Sequence, residues 1–209
     1  MLNTRLLRLS LLACALGVLG ACSSSPDKPR PAELAPAASL MGTRLVWSSQ
    51  VGAGPAGVGA RAVGDRVLVP GAGNSVVALD AESGKEVWRV ALAAPIQAGI
   101  GFDGDVAAVV TRENELVALR AGQVLWRQRL SASVYTEPLV AGRRVFVQAA
   151  DRSISGYDAE TGRRLWNQSR TGEPLVLNRP GVLLAVGDTL VTGVAGRLTG
   201  LNPLNGSAR

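Results

Sequence analysis

The chain has 209 residues, of which 47% are hydrophobic and 18% charged, a balance that predicts a folded core and argues against disorder. Because it contains no histidine and only two cysteines, the sequence excludes Ser-His-Asp and Cys-His catalysis, histidine-bound zinc or haem, and a disulfide framework. The net charge of +6 lies on scattered basic residues, with only 4% aromatic residues, so we predict a solvated basic surface and no binding of nucleic acid.

Residues 1–21 have the features of an export signal. Arg5 and Arg8 supply positive charge, and residues 9–19 form an apolar run of 11 residues, LSLLACALGVL. That length is typical of a signal-peptide core and is too short to span a bilayer. The run ends in Leu-Gly-Ala followed by Cys22, which resembles the bacterial lipobox. The resemblance implies that the Cys22 thiol receives a diacylglycerol and that cleavage makes Cys22 the new N-terminus.

We interpret residues 22–43 as a flexible tether. Three serines follow Cys22, and a proline-rich stretch covers residues 26–36, a composition typical of flexible or extended linkers. The serine directly after Cys22 resembles a signal for sorting to the outer membrane, so this interpretation implies a lipid anchor there, with the protein facing the periplasm. The alternative is an ordinary secretory signal that happens to be followed by a cysteine.

From about residue 44 the sequence repeats. Three of the four tryptophans end a phrase such as ALDAESGKEVW (residues 78–88), whose second copy, residues 118–126, is two residues shorter. A fourth copy begins at residue 198 and would place its tryptophan at position 210. The four tryptophans are 41, 38 and 40 residues apart: Trp47, Trp88, Trp126 and Trp166. Each full or partial phrase also contains one turn glycine: Gly84, Gly122, Gly162 and Gly206.

Each phrase has the pattern of a β-hairpin, with an alternating strand, a turn from Asp to Gly, and a second strand that carries the tryptophan. Two more apolar strands precede each phrase, so a unit of about 40 residues holds four strands. This predicts an all-β propeller of four-stranded antiparallel blades over residues 44–209, with about four blades present and the tryptophans packed between sheets. A helical HEAT or armadillo array has a similar period, but the high glycine content disfavours it.

The phrase A-L-D-A-x-S/T-G-x-x-x-W resembles the repeat of pyrroloquinoline-quinone (PQQ)-type propellers. Together with the lipobox and the short tether, it resembles the BamB family of outer-membrane assembly lipoproteins. The resemblance implies an eight-bladed ring that binds the periplasmic POTRA domains of BamA and other subunits of the β-barrel assembly (BAM) complex. It also implies help in folding and inserting outer-membrane β-barrel clients, with no enzymatic activity and no cofactor.

The length departs from that family. Eight blades and a tether need roughly 380 residues, so we expect this chain to be a fragment without its second half or a natural short form. In the family ring, the strand expected at residues 45–49 would complete the last blade. The alternative is a closed four-bladed ring, in which residues 45–49 complete the blade at residues 182–206.

The repeat alone leaves a second function open, that of a PQQ-dependent dehydrogenase. Resemblance to such enzymes implies a vicinal cysteine pair and a calcium site, whereas Cys22 would be the only cysteine of the mature chain. The polar cluster formed by Asp103, Asp105, Glu113 and Asn114 is better interpreted as a solvated loop than as a calcium site. We therefore predict no metal site and no catalytic residue.

Residues 172–181 (GEPLVLNRPG) are the predicted partner-binding segment. In the BamB family, a loop at this place carries a Leu-x-Leu followed by arginine and docks on BamA. The resemblance implies partner-binding roles for Leu175 and Leu177 and, displaced by one position, for Arg179. The alternative is that residues 175–177 form the innermost strand of the fourth blade.

Overall fold

The computed structural model describes residue 42 and residues 44–169, 181–194 and 196–209. Contacts divide the chain into two units, Met1–Arg44 and Leu45–Arg209, and of the first unit only residues 42 and 44 are described. The described part of the second unit contains fifteen β-strands and no helix, arranged as four antiparallel sheets. The prediction of an all-β fold built from repeated antiparallel blades is confirmed.

Each sheet is one blade, in which the strands pair in chain order. The first blade contains β1 (Arg61–Val63), β2 (Arg66–Gly71), β3 (Ser75–Asp80) and β4 (Glu86–Ala91). The second contains β5 (Ile96–Phe102), β6 (Val106–Thr111), β7 (Glu115–Arg120) and β8 (Gln123–Arg129). The third contains β9 (Leu139–Ala141), β10 (Arg144–Gln148), β11 (Ile154–Asp158) and β12 (Arg164–Gln168). The fourth has three described strands, β13 (Val182–Val186), β14 (Thr189–Val194) and β15 (Arg197–Leu201).

The core lies in layers between successive blades. The first strands of the blades meet at the inner edge, where β5 contacts β1 and β9, and β9 contacts β13. Side chains alternate along a strand, so a blade with two neighbours buries both faces. In β6, Ala107 and Val109 pack towards the first blade, whereas Ala108 and Val110 pack towards the third.

An aspartate holds the turn of the phrase in two blades. Asp80 Oδ1 accepts the backbone N–H and the hydroxyl of Ser83 at 2.8 and 2.6 Å. Asp158 Oδ1 accepts the same two groups of Thr161, both at 2.9 Å. Both turns place their glycine at φ +70°, a region that costs residues with a Cβ about 1–2 kcal/mol. The pattern Asp-x-x-Ser/Thr-Gly therefore encodes the turn locally.

The second blade departs from this pattern at Arg120, which stands in the place of the aspartate in the shorter turn. Its guanidinium reaches the third blade, where it donates to both carboxylate oxygens of Glu160 at 2.8 and 2.6 Å. It also pairs with Asp105 at 2.7 Å. Because these side chains are partly exposed, each ion pair adds little stability by itself. The pair with Asp105 lies within the second blade, and the pair with Glu160 joins the second blade to a turn of the third.

We expect the chain to lose stability in acid. Hydrogen bonds from the Thr161 backbone and hydroxyl lower the pKa of Asp158, and the hydrogen bond from Arg120 lowers that of Glu160. A carboxyl whose pKa is lower in the folded state stabilises the fold above its unfolded pKa, and this contribution is lost as the pH falls through the folded value. Urea midpoints should therefore fall below about pH 4.

Two substitutions at this turn test the acid effect. Asp158→Ala should flatten the acid dependence of the urea midpoint, because it removes one of the stabilised carboxylates. Thr161→Val, which removes the hydroxyl that donates to Asp158 at 2.9 Å but keeps the backbone N–H, should flatten it less. Equal pH profiles for the wild type and Asp158→Ala would show that the turn aspartate makes no pH-dependent contribution.

The later tryptophans join their blades to the turn of the next blade. The indole N–H of Trp126 donates to the Ala159 carbonyl oxygen at 2.8 Å, and that of Trp166 donates to the Pro203 carbonyl oxygen at 3.0 Å. Both indoles are 9% exposed. Each ring also lies over the glycine of the same turn, where an added Cβ would come within 2.6 and 2.7 Å of the ring atoms. The tryptophan and the glycine of the following phrase therefore form one docking contact.

The docking contact differs where the turn is shorter. A Cβ added to Gly122 would lie 3.0 Å from Cβ of Trp88, so the pair still meets across the first and second blades. The Trp88 side chain is only half-buried. The turn between β7 and β8 lacks two residues of the longer phrase. The Trp88 atoms that lie nearest to the Gly122 position are therefore its Cβ and Cγ.

Trp47 docks ahead of the first blade in the same way. Its indole N–H donates to the Ala81 carbonyl oxygen at 2.9 Å, its ring lies against Gly84, and the Ser49 hydroxyl donates to the Gly84 carbonyl oxygen. The strand predicted for residues 45–49 is nevertheless wrong, because a strand needs a neighbouring strand to form a ladder and no described strand pairs with this segment. These residues do not complete the fourth blade, so the described chain is not a closed four-bladed ring.

Candidate partner interface

The predicted partner-binding residues Leu175, Leu177 and Arg179 lie outside the described residues. They belong to the connection from β12 to β13, which has 13 residues, against 4 between β4 and β5 and 9 between β8 and β9. It is the longest of the three connections between blades, and long connections on a rigid scaffold commonly carry binding residues. The inner strand β13 begins at Val182, five residues after Leu177.

Buried polar side chains fix the end of this connection. The Gly181 N–H donates to the Thr136 hydroxyl at 2.8 Å, and a Cβ added to Gly181 would lie 2.8 Å from the side-chain amide of Gln148. Gln148 Oε1 in turn accepts the Thr192 hydroxyl at 3.2 Å. Thr136, Gln148 and Thr192 are 6, 4 and 2% exposed, and groups this buried need hydrogen-bond partners. The cluster therefore sets where the connection enters the fourth blade.

This cluster was not predicted from the sequence. Gln148 and Thr192 interrupt runs that are otherwise apolar, VFVQ in β10 and LVT in β14. A polar residue in such a run signals a buried hydrogen bond. The pattern does not identify the partner, however, because the two side chains are 44 residues apart in the chain.

A cavity of about 510 Å³ lies beside Gly181, with walls from the inner strands of all four blades. Its lining includes the apolar side chains of Phe102 and Leu139 and the charged pair Arg61 and Glu137, whose closest atoms are 4.0 Å apart. Burial raises the pKa of Glu137 despite the nearby arginine. Apolar walls around a few charged groups suit a segment of another protein.

The four polar residues of the candidate calcium site are not brought together. Asp103 and Asp105 lie in the turn before β6, whereas Glu113 and Asn114 lie in the turn after it. The intervening strand has 6 residues, a length of roughly 20 Å. Over the described ranges, no group of three or more acidic or cysteine side chains is placed to hold a metal ion.

Cys22 lies outside the described residues, as do the predicted signal peptide and almost all of the tether. Within residues 44–169, 181–194 and 196–209, no helix has the length and apolar character needed to cross a membrane. The lipid anchor stays a prediction.

Known proteins share these blades. A family model described as outer membrane protein assembly factor BamB matches residues 38–98 and 72–209. The outer membrane protein assembly factor BamB of Burkholderia pseudomallei is 33% identical over 185 residues, which cover 86% of this chain and 49% of that protein. The crystal structure of BamB from Moraxella catarrhalis superposes with a TM-score of 0.65 at 24% identity, covering 72% of this chain and 47% of that chain.

The likeness to a quinoprotein is more restricted. Quinohemoprotein alcohol dehydrogenase ADH IIB of Pseudomonas putida is 31% identical over 96 residues, which cover 46% of this chain and 10% of that protein. The chain spans about half the length of the curated BamB relatives that it matches. Because the BamB family model matches the repeats through residue 209, the chain belongs to the family of outer membrane protein assembly factor BamB.

Proposed function

We propose that this chain is a non-enzymatic scaffold lipoprotein of the BAM complex, which helps β-barrel clients to fold and insert into the outer membrane. It is anchored through Cys22 and faces the periplasm. The match of the BamB family model to the whole set of blades is the observation that carries the proposal. A propeller supplies rigid blades whose loops and strand edges bind other proteins, a function that needs no reactive side chain.

The POTRA domains of a BamA-type partner bind the connection between the third and fourth blades. Leu175 and Leu177 are two positions apart, so an extended segment presents them on one side. Pro174 and Pro180 restrict the backbone around them, which lowers the entropy lost on binding. Arg179 adds a planar cation suited to a carboxylate of the partner.

The end of the connection from β12 to β13 lies at the proposed partner-binding surface. Gly181 is held by Thr136 and borders the cavity that contains Arg61 and Glu137. A partner that contacts the leucines therefore also meets a fixed edge of the fourth blade and one charged pair. Fixed groups beside an apolar anchor are typical of the centre of a protein interface.

Replacing the apolar anchor and the cation together tests the interface. Leu175→Ser with Arg179→Glu is expected to weaken binding to the BamA periplasmic domains at least tenfold, equivalent to about 1.4 kcal/mol. The reason is that the double variant removes an apolar contact and reverses a charge. Binding is measured by titration of the purified POTRA domains, and folding by circular dichroism and the melting temperature.

The matched control carries the same two changes elsewhere on the fourth blade. Leu204→Ser with Arg197→Glu alters exposed residues and should leave binding at the wild-type level. A folded Leu175→Ser/Arg179→Glu variant that binds as tightly as the wild type would remove this segment from the interface. Loss of fold in that variant would instead favour the alternative in which these leucines belong to the core.

The lipid anchor has its own test. Cys22→Ala is expected to block lipidation, so the protein should move from the detergent phase to the aqueous phase or remain unprocessed. Cys14→Ala is the matched control, because Cys14 lies inside the apolar run of the signal, and it should partition like the wild type. Unchanged detergent partitioning of Cys22→Ala would contradict the anchor.

A further inference from the structure

The turn between the second and third strands has the same backbone in the first three blades. One residue of each turn has a left-handed conformation: Asn74 at φ 57°, Asn114 at φ 63° and Arg152 at φ 67°. A second feature fixes this alignment, because the residue two places earlier donates its N–H to the segment that leads into the blade. Arg152 is therefore the third-blade counterpart of two asparagines.

Asparagine suits this position, whereas arginine does not. Asparagine is several-fold enriched at positive φ, because its short polar side chain forms local hydrogen bonds. In the second blade, the side-chain N–H of Asn114 donates to the Leu130 carbonyl oxygen at 3.0 Å. Arg152 Nε is buried and has no acceptor among the described residues, and none of their ion pairs includes Arg152. The arginine thus costs the fold stability at this turn, and positions of that kind are commonly functional.

Arg143 is the other arginine with positive φ among the described residues, at φ 60° in the turn between β9 and β10. Its charge acts within the chain, since the pKa of Glu160 is lowered by the hydrogen bond from Arg120 and further by the charge of Arg143. The strand β10 separates this turn from the one that contains Arg152. The two arginines therefore lie at opposite ends of the third blade, and only Arg143 has a described acidic neighbour.

The connection between β8 and β9 joins the turn of Arg152 to the proposed partner-binding surface. The Ser133 carbonyl oxygen accepts the N–H of Ala150, a residue of that turn, at 2.7 Å. The Thr136 hydroxyl accepts the N–H of Gly181, where the connection from β12 to β13 ends, at 2.8 Å. Since the two accepting residues are close together in the chain, one short stretch holds both the turn and the start of the fourth blade.

Tyr135 lies within this short stretch. Every other aromatic side chain of the described residues packs between blades or docks on a turn. Tyr135 belongs to none of these clusters, and like Arg152 it is half-buried, so both side chains reach the surface. Tyrosine and arginine are, with tryptophan, the residue types most enriched among the side chains that dominate protein interfaces.

We propose that Arg152 and Tyr135 belong to the partner-binding surface, with the Arg152 guanidinium bound to a carboxylate of the POTRA domains. The inference rests on the proposed function and adds a second contact region to it, beside the connection from β12 to β13. A partner carboxylate supplies an acceptor for the guanidinium, whose planar fork suits it. The Tyr135 ring packs beside this ion pair and excludes water from it. The arginine is retained at an unfavourable turn position because it serves binding.

Arg152→Asn separates binding from folding, because it gives the third blade the residue that the first two blades have. The full chain is titrated with purified POTRA domains, and its stability is measured by urea denaturation. We expect binding to be about fivefold weaker or more, which corresponds to roughly 1 kcal/mol. The urea midpoint should be no lower than that of the wild type. Tyr135→Ser should also weaken binding, whereas Tyr135→Phe keeps the ring and should bind nearly as the wild type does.

Arg143→Asn is the matched control, since it makes the same change in the same backbone region at the opposite end of the blade. It should leave binding at the wild-type level. Salt provides a second readout, because exposed ion pairs are screened as the ionic strength rises. Binding by the wild type should weaken with added salt, and binding by Arg152→Asn should weaken less steeply.

The two proposals fail in different ways. If Arg152→Asn bound at wild-type strength while Leu175→Ser/Arg179→Glu bound weakly, the contact at Arg152 would be wrong and the proposed function would stand. A wild-type chain that did not bind the POTRA domains would overturn both. Equal losses in Arg152→Asn and Arg143→Asn would show an effect of overall charge and no contact at Arg152. A lower urea midpoint for Arg152→Asn would show that the arginine stabilises the fold, which would also overturn the inference.

Discussion

Replacing Trp126 with alanine is expected to lower the free energy of unfolding by about 3–5 kcal/mol, the range found for large aromatic truncations in protein cores. The indole is 9% exposed, so the substitution leaves a cavity between the second and third blades. It also leaves the Ala159 carbonyl oxygen without the N–H that it accepts at 2.8 Å. Urea denaturation of the wild type and the variant measures the loss.

Two variants separate the ring from its hydrogen bond. Trp126→Phe keeps an aromatic ring over the glycine but removes the N–H, so it should cost less than Trp126→Ala. Trp47→Ala removes a half-buried indole from the edge of the first blade and should also cost less. If Trp126→Ala changed stability by no more than about half a kcal/mol, the value typical of surface positions, then the docking contact would not stabilise the blades.

Replacing Gly162 with alanine is expected to lower the free energy of unfolding by about 2–5 kcal/mol. Part of the loss, about 1–2 kcal/mol, arises because alanine disfavours the φ of +70° that Gly162 adopts. The rest, about 1–3 kcal/mol, is the overpacking cost, because the added Cβ would lie 2.6 Å from the Trp126 ring. Urea denaturation measures the total.

Gly142 provides a matched control for this substitution. It has φ +58°, and a Cβ added there would meet nothing within 4 Å, so Gly142→Ala should show the conformational cost alone. Combining Gly162→Ala with Trp126→Ala should cost less than the sum of the single changes, because the overlapping ring is gone. Additive losses would mean that the glycine and the tryptophan do not act as one contact.

The blades could be predicted because the sequence signals that specify them are local. A turn such as the one at Asp80 is encoded within five residues, and the regular spacing of the tryptophans gives the period without any knowledge of distant contacts. The same locality explains why the four-stranded pattern was recognised in the second blade, although Arg120 replaces the aspartate there. What Arg120 does instead was not predictable, since its partner Glu160 lies 40 residues away.

The features that the sequence analysis missed or misjudged depend on neighbours. Residues 45–49 have the composition of a strand, but a strand forms only when another strand lies alongside. The buried polar cluster of Thr136, Gln148 and Thr192 joins three separate segments, so no single stretch of sequence specifies it.

The docking of each tryptophan on the following turn gives the row of blades the thermodynamics of a one-dimensional array. Stability in such an array is the sum of terms within each unit and terms between nearest neighbours. Since a tryptophan and a glycine recur at each described junction between blades, we expect a change at one junction to alter the stability of the two blades that meet there more than that of the others.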